Sequence, residues 1–300
     1  MTTLNTLADL EARVTAGEPL SHAEAERVAA CTDLVSVGFL GELARTTMHG
    51  RRVTYGRVCE LAGDPWPADR GHAGEVRLVE RPESVASAFT RVQAAARLAA
   101  GVPLTAFSVA DLLDLVDGDH MALADASRRL KQAGLDAVAE APIDRLGDVE
   151  TAAEVLRAVK HGGLGVWRAT IGQARAADRL DLIERAAALQ RETGAFKAFA
   201  PLPRIDPREL PSTGYDDVRT IAVARLVCRT TASIQVDWPL YGPKLAQVAI
   251  AYGADDIDGV AAVDAADLGP RRSAREEIER HIRMAFAEPA ERDGRYEIRS

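Results

Sequence analysis

Short apolar runs alternate with longer amphipathic stretches along most of the chain. Eight runs begin 23 to 38 residues apart, and apolar residues recur at helical spacing in the stretches between them. The runs begin at Val53, Val76, Leu104, Asp136, Gly165, Phe196, Ile234 and Ile257. Since one strand–helix unit takes about 30 residues, the pattern predicts an α/β fold, a (β/α)8 TIM-type barrel that is closed or partly open. A doubly wound open sheet is the alternative, because spacing does not reveal strand order.

Helical patterns also flank the predicted barrel. Near the start, Ser21 and Glu24 have the spacing of a capping box, and a further helix is predicted over 33–48. Between Val58 and Val76 two prolines and three glycines exclude a regular helix. Helices are predicted over 84–100, 122–133, 148–160, 177–192, 215–228, 243–252 and 274–287, the last followed by a polar end. We expect an N-terminal helical extension over 1–50, a barrel over 51–266, and a C-terminal helix and tail packing on the barrel over 267–300.

Composition narrows the class of protein. The 300 residues carry a net charge of −8 and only 5% aromatic side chains, which disfavours a nucleic-acid partner. No apolar run approaches the 18 residues of a membrane-spanning helix, and the first residues do not have the pattern of a secretory signal. The three cysteines, Cys31, Cys59 and Cys228, are odd in number and far apart, which is not typical of a disulfide framework. We expect a cytoplasmic protein without a membrane partner.

Polar residues at the ends of the predicted strands are the candidates for chemistry, since barrel active sites lie there. A carboxylate in this position can act as a general acid or base, and an arginine can hold a substrate carboxylate through two hydrogen bonds. The catalytic candidates are Glu80, Glu140 and Asp237. The candidates for substrate binding are Arg81, Ser108, Arg168, Thr170, Trp238, Tyr241 and Lys244. For each of them a helix cap or a loop contact is the structural alternative.

Two clusters leave alternatives open. Residues 237–244 run from a strand end into a helix N-terminus, where free N–H groups favour an anion; Trp238 and Tyr241 are either walls of a ligand site or a cover of the barrel mouth. Asp255, Asp256 and Asp258 either bind a cation or, as we favour, form a turn and a capping network at the opposite end of the barrel. No spacing of histidines or cysteines predicts a metal site.

Three segments of the C-terminal half carry a family resemblance. Residues 194–203 (GAFKAFAPLP), 212–226 (STGYDDVRTIAVARL) and 234–259 (IQVDWPLYGPKLAQVAIAYGADDIDG) resemble the radical S-adenosylmethionine enzymes of the futalosine route to menaquinone. Aminofutalosine synthase is the most similar of these, and dehypoxanthine futalosine cyclase and the deazaflavin synthase subunits are more distant. The resemblance implies a barrel of the radical S-adenosylmethionine kind and a link to menaquinone biosynthesis.

The sequence departs from this family where the family's cofactor binds. The resemblance implies a Cys-x3-Cys-x2-Cys loop after the first strand, which holds a [4Fe–4S] cluster. If Cys59 were the first ligand, the next two positions would be Gly63 and Trp66. The glycine-rich turns after the second and fourth strands are replaced by Glu80-Arg81 and by residues 139–142. We therefore expect no [4Fe–4S] cluster and no reductive cleavage of S-adenosylmethionine.

Three functional hypotheses follow. The first is a cluster-less relative kept as a non-radical partner or regulatory protein, which pairs with a futalosine-pathway enzyme or with itself. The second is a repurposed, iron-independent barrel enzyme that performs acid–base chemistry on a small aromatic or nucleoside-like acid. The third, ranked last, is the intact radical synthase activity with a cluster held by unexpected ligands.

Overall fold

The computed structural model describes residues 7–172, 175, 178–204, 211–263 and 275–299. The strands are β1 (Arg52–Leu61), β2 (Glu75–Leu78), β3 (Leu104–Ser108), β4 (Ala137–Pro142), β5 (Gly165–Val166), β6 (Arg168–Ile171), β7 (Ala198–Pro201), β8 (Ser233–Asp237), β9 (Asp256–Ala261) and β10 (Glu288–Arg292). The α-helices are α1 (Glu11–Thr15), α2 (His22–Ala30), α3 (Leu34–His49), α4 (Val85–Leu98), α5 (Val109–Asp114), α6 (His120–Gln132), α7 (Val149–His161), α8 (Arg179–Thr193), α9 (Gly214–Val227), α10 (Trp238–Ile250) and α11 (Arg275–Met284).

The strands form a closed parallel barrel, as the spacing predicts. Each strand pairs in parallel with its neighbours in chain order, and β9 returns to pair with β1. β5 and β6 act as one strand that is interrupted at Trp167, so that eight positions surround the axis. Because β1 and β9 pair, the doubly wound open sheet is wrong. The (β/α)8 barrel is confirmed.

β10 is an additional strand that the sequence did not predict. Residues 52–56 of β1 pair with β10, whereas 58–61 pair with β2, so β10 extends the same edge of β1 toward the amino ends of the strands. The segment reads Glu-Pro-Ala-Glu-Arg, without a β-branched or aromatic residue. Its intrinsic propensity for a β-strand is therefore low, and its contacts with the rest of the barrel determine its structure.

Helix ends follow the capping chemistry of the sequence. The capping box of Ser21 and Glu24 is present at α2, and Asp33 caps α3. α10 begins earlier than its predicted start at Pro243, because Asp237 accepts a hydrogen bond from the Leu240 N–H at 3.0 Å. Gly242, with φ of 73°, kinks the helix one residue before the proline.

Apolar side chains of the strands and helices fill the layer between barrel and helices, with Val76, Leu78 and Val138 among the buried strand residues. The region 62–74, after β1, contains neither helix nor strand, which agrees with its prolines and glycines. Among the described residues, no helix combines the length and apolarity needed to cross a membrane.

Candidate functional site

The barrel axis is occupied by charged side chains, whereas barrels of this type are dominated by branched apolar residues there. Asp258 of β9 is fully buried and accepts hydrogen bonds from Arg77 of β2 at 2.8 and 3.2 Å. Arg77 also donates to Glu75 at 2.8 Å. The guanidinium groups of Arg77, Arg168 and Arg292 hold the pKa of Asp258 far below its usual range, against the effect of burial.

The C-terminal segment closes the amino end of this axis. Arg292 of β10 donates to both carboxylate oxygens of Asp256 at 2.7 Å, and to Asp258 at 3.1 Å. Its guanidinium lies 4.2 Å from the centre of the Tyr296 ring. The Gln235 amide donates to Asp256 at 2.6 Å and to the Tyr296 hydroxyl at 3.1 Å.

The acidic cluster at 255–258 is thus not the turn and capping network that we favoured. Asp256 and Asp258 are buried within β9 and form ion pairs with arginines. Asp255 pairs with Arg225 of α9 and accepts a hydrogen bond from the Ile234 N–H at 2.8 Å. The prediction failed because parallel strands are buried on both faces, so a carboxylate in a strand needs an arginine partner rather than solvent.

A cavity of about 250 Å³ lies at the carboxyl ends of the strands, where the barrel opens. Five of the residues that were predicted from strand-end position line it. The nominated residues that line it are Glu80, Ser108, Glu140, Arg168 and Asp237. Strand-end position therefore predicted that these side chains lie close together, while their catalytic and binding roles stay predictions. Arg77 and Asp111 also line it and were not predicted.

Arg168 is the side chain with the most unused hydrogen-bonding capacity in this cavity. The residue is 7% exposed. Its Nη2 lies 3.6 Å from Asp237 Oδ2, and its Nη1 lies 3.6 Å from Asp258 Oδ2. Nε and Nη2 are buried and have no hydrogen-bond partner among the described residues. A buried guanidinium edge without acceptors is costly, and a carboxylate has the geometry to satisfy it.

The acids around Arg168 have different environments. Burial raises the pKa of the Asp237 carboxyl, and the Asp258 charge raises it further, although Arg168 opposes this effect. Glu140 is half-buried and accepts a hydrogen bond from the Thr170 hydroxyl at 3.0 Å. Ser108 Oγ is engaged as the cap of α5, where it accepts from the Ala110 N–H. Asp237 and Glu140 thus share the cavity with Arg168, and their carboxyl groups can exchange protons with a ligand.

A second cavity, of about 470 Å³, adjoins the first and shares Leu78, Glu80 and Phe107 with it. Glu80 accepts hydrogen bonds from the Gly63 N–H and from Arg91. Arg81 lines this cavity but is largely exposed and pairs with Asp114 at 2.9 Å. Glu80 is thus engaged in ties to the loop after β1 and to α4.

Arg91 extends these ties to the loop after β1. Its guanidinium lies 4.7 Å from the centre of the Trp66 ring and 3.2 Å from Asp64 Oδ2. We call Glu80, Arg91, Asp64 and Trp66 the loop latch. The latch fixes the segment in which the resemblance implies cluster ligands.

Four nominated residues line neither cavity, and of these Thr170 contacts Glu140, which does. Trp238 is fully buried and packs edge-on against His281 of α11, with ring centres 5.7 Å apart. The Tyr241 hydroxyl donates to the Pro201 carbonyl at 2.9 Å. Lys244 is exposed on α10. The structure therefore does not bring these last three side chains together with Arg168, and Trp238 and Tyr241 act in packing α10 onto the barrel.

The donors required for a [4Fe–4S] cluster are not assembled after β1. All three cysteines lie in the described part of the chain, and each is buried. Cys59 lies within β1, and burial raises the pKa of its thiol. The described His, Cys, Asp and Glu groups that converge for a metal are His22, Asp181 and Glu184, on the outer helices. The residues after β1 thus do not fit a three-thiolate cluster.

Arg77 and Arg292 were not predicted from the sequence, and Asp256 and Asp258 were predicted in a turn at the opposite end of the barrel. One signal was available: polar residues alternate with apolar ones in β2 (Glu75, Arg77), β8 (Gln235, Asp237) and β9 (Asp256, Asp258). A period of two places both polar residues of each pair on the same side of a strand. Since the outer face is covered by helices, that side is the barrel axis.

No family model matches the chain. The sequence is 36% identical over 141 residues to the aminodeoxyfutalosine synthase of Streptomyces coelicolor, covering 40% of this chain and 36% of that protein. It is 29% identical over 209 residues to the cyclic dehypoxanthine futalosine synthase of the same organism, covering 60% and 52%. These matches confirm the resemblance to the futalosine-route enzymes.

The deazaflavin-type resemblance is confirmed as well. The chain is 30% identical over 208 residues to a 5-amino-6-(D-ribitylamino)uracil–L-tyrosine 4-hydroxyphenyl transferase of Methanosarcina mazei, covering 59% of this chain and 54% of that protein. Across these three relatives the matched region spans between 36% and 54% of the relative's length.

Solved structures share the fold. Methylornithine synthase superposes with a TM-score of 0.66 at 13% identity, covering 94% of this chain and 97% of that chain. The FeFe-hydrogenase maturase of Carboxydothermus hydrogenoformans superposes with a TM-score of 0.67 at 11% identity, covering 95% and 79%. At these identities the likeness concerns the barrel alone.

Proposed function

We propose that this chain is a cluster-less barrel enzyme that binds a small organic acid at the barrel mouth and performs acid–base chemistry on it. The supporting observation is that Arg168 lines the mouth cavity together with Asp237 and Glu140, while its buried Nε and Nη2 have no hydrogen-bond partner among the described residues. The relatives of the futalosine route support a substrate from menaquinone-related metabolism, an aromatic or nucleoside-like acid. The cysteine arrangement supports a mechanism that does not use a [4Fe–4S] cluster.

In this proposal Arg168 orients the substrate carboxylate. Nε and Nη2 form one edge of a planar guanidinium, and such an edge matches the two oxygens of a carboxylate. Asp258 and Asp237, each 3.6 Å from a different Nη atom, hold the guanidinium plane in place. The ligand would replace the missing acceptors, which makes binding favourable despite the burial of charge.

Asp237 and Glu140 are assigned the proton transfers. The raised pKa of Asp237 brings its carboxyl nearer to the working pH, where a general acid or base is most effective. Glu140 shares the cavity, and its hydrogen bond from Thr170 fixes its position. The two carboxyl groups are thereby placed to act on the ligand that Arg168 orients.

A non-catalytic partner or regulatory protein is the second candidate. The loop latch favours it, because Glu80 and Arg91 are engaged with the β1 loop rather than free for a ligand. In this case the mouth cavity senses an acid without turning it over. Pairing with a pathway enzyme or self-association stays a prediction.

The test is an anaerobic thermal-shift screen followed by calorimetry. The panel holds S-adenosylmethionine, 5′-deoxyadenosine, aminofutalosine-type nucleosides and carboxyvinyl-oxybenzoate-type acids. A ligand at about 100 times its Kd stabilises the folded state by about 2.7 kcal/mol, so a carboxylate ligand should raise Tm. Arg168→Lys keeps the charge but not the two-pronged edge, and we expect at least about tenfold weaker binding. Arg128→Gln, an exposed arginine on α6, is the control.

Two results would count against the proposal. If no compound of the panel raises Tm, the mouth cavity does not bind ligands of this class. If the Arg168→Lys and Arg128→Gln proteins bind the ligand equally well, Arg168 does not bind the substrate carboxylate. Binding with no turnover, in a protein that co-purifies with a pathway enzyme, favours the partner hypothesis.

A further inference from the structure

A separate cavity of about 200 Å³ lies outside the barrel wall, between α2, α8 and α9. Three guanidinium groups and one carboxylate line it, from Arg179, Arg204, Arg219 and Asp216. Its apolar lining includes Ile183 and Val223. None of these residues belongs to the mouth cavity, so the feature is distinct from the proposed active site.

Arg179 is held with part of its hydrogen-bonding capacity unused. The residue is 6% exposed, and its Nη2 donates to the Leu202 carbonyl at 2.6 Å and the Gly172 carbonyl at 3.3 Å. Its Nε is buried and has no hydrogen-bond partner in the described part of the chain. The two carbonyl contacts fix the guanidinium plane, so the position of the unused N–H is fixed too.

Arg219 presents a second unused donor at the same cavity. Its Nε is also buried without a hydrogen-bond partner among the described residues. Its Nη1 lies 3.6 Å from Asp216 Oδ1, on the same helix. The side chain is a quarter exposed, so a ligand can reach it from solvent.

The carboxylate of the cavity is already engaged in capping α9. Asp216 Oδ2 accepts from the Thr213 hydroxyl at 2.8 Å and from the Thr213 N–H at 3.1 Å. Three of the four charged residues that line the cavity are thus arginines, and the carboxylate of the fourth is held in the cap. Burial lowers the pKa of Arg179 and the nearby charge of Arg204 adds to this effect, whereas Tyr241, Asp217 and Asp144 oppose it. An anion in the cavity would add a further negative charge beside the Arg179 guanidinium.

We propose that this cavity binds a small organic carboxylate whose anionic oxygens accept from Arg179 and Arg219 and whose apolar body rests on Ile183 and Val223. The volume of the cavity limits the ligand to about the size of a single-ring acid. The site goes beyond the proposed function and does not depend on it, since the two cavities have separate linings.

The experiment is isothermal titration of the full chain with benzoate and, separately, with inorganic phosphate at constant ionic strength. The Arg168→Lys protein is titrated alongside the wild type, so that binding at the mouth is recognised by its loss. We expect a benzoate site that survives Arg168→Lys and binds benzoate at least tenfold tighter than phosphate, because phosphate has no apolar body.

Two variants locate that site. Arg219→Gln should weaken benzoate binding about tenfold or more, the effect of losing a charged hydrogen bond. Ala29→Leu, which places a larger side chain in the cavity without changing its charge, should weaken it as well. Arg128→Gln is the matched control, since Arg128 forms the same i,i+3 pair with an aspartate on another helix.

The proposal is overturned if benzoate shows no site in the Arg168→Lys protein, or if phosphate binds as tightly as benzoate. It is also overturned if Arg219→Gln and Ala29→Leu, folded by circular dichroism, bind benzoate as the wild type does. Loss of the mouth site alone would contradict the proposed function and leave this inference intact.

Discussion

Asp258 of β9 and Arg77 of β2 form a two-pronged ion pair inside the barrel, with oxygen–nitrogen distances of 2.8 and 3.2 Å. The two strands are not neighbours, since β1 lies between them. The same carboxylate also faces Arg168 at the mouth and Arg292 at the floor. One buried aspartate therefore connects the candidate ligand site to the C-terminal strand.

Asp258→Asn should destabilise the protein by about 3–5 kcal/mol, because it leaves several buried arginine charges without their shared partner. The free energy of unfolding in urea at neutral pH measures the effect. Asp125→Asn removes one partner of an exposed ion pair on α6 and should change the stability by less than about 0.5 kcal/mol. Equal effects of the two substitutions would show that the axial network does not hold the barrel together.

Asp237→Asn should stabilise the protein, whereas Asp258→Asn destabilises it, and the gain should depend on pH. The folded pKa of Asp237 is raised, so between the unfolded value of about 3.9 and the folded value the native state holds more protons than the unfolded state. The stability of the wild type therefore falls as pH rises through that window. The asparagine side chain keeps the cap on α10 and has no charge to bury.

The measurement is the free energy of unfolding of both proteins from pH 4 to pH 8. Relative to the wild type, Asp237→Asn should gain stability across the window, and the difference should then stay constant. The contribution of Asp258 to the free energy of unfolding has the opposite pH dependence, because its pKa is lowered. It is present above about pH 4 and is lost on acidification. A difference for Asp237→Asn that shrinks as pH rises would exclude a raised pKa.

The fold was predictable because its determinants are local. Each strand run, its following helix and caps such as Ser21 and Asp33 are written in short stretches of sequence. The regular spacing favoured a barrel but left the strand order open, and the β1–β9 pairing decides for the closed barrel. β10 was not predictable, because its five residues have little strand propensity of their own and are fixed by Arg292 inside the barrel.

The site was predictable only in part. Strand-end position found Arg168, Glu140 and Asp237, since a parallel barrel brings all carboxyl ends to one rim. The same reasoning nominated Trp238, which instead is the first residue of α10, is fully buried and packs against His281 of α11. Side-chain direction at a strand–helix junction depends on where the helix starts, and the sequence placed that start too late.

Anaerobic reconstitution with iron and sulfide should leave the protein without a stoichiometric [4Fe–4S] cluster. Cys59 is a buried strand residue whose thiol pKa is raised, so the thiolate that iron requires is disfavoured. Iron and sulfide analysis, with the charge-transfer absorbance, gives the readout, and Cys59→Ser is the control. A full cluster that Cys59→Ser abolishes would contradict the cluster-less proposal and revive the radical hypothesis.

Tyr296 gives a test of whether the C-terminal segment is part of the cooperative fold. Its ring stacks on the Arg292 guanidinium, and its hydroxyl accepts a hydrogen bond from Gln235. Tyr296→Phe removes only the hydroxyl and should cost about 0.5–1.5 kcal/mol. Tyr296→Ala also removes the ring and should cost about 2–3 kcal/mol, below the range for a fully buried ring because the residue is half-buried.

Urea unfolding followed by fluorescence and by circular dichroism separates two cases. If the segment plugs the barrel, both probes shift to lower urea together, and protease cleavage near residue 290 becomes faster in Tyr296→Ala than in Tyr296→Phe. If the segment is a separate appendage, cleavage accelerates while the urea midpoint stays at the wild-type value. The three hydrogen bonds between Arg292 and the two β9 carboxylates favour the first result, because opening the segment would expose the buried charges of Asp256 and Asp258 without partners.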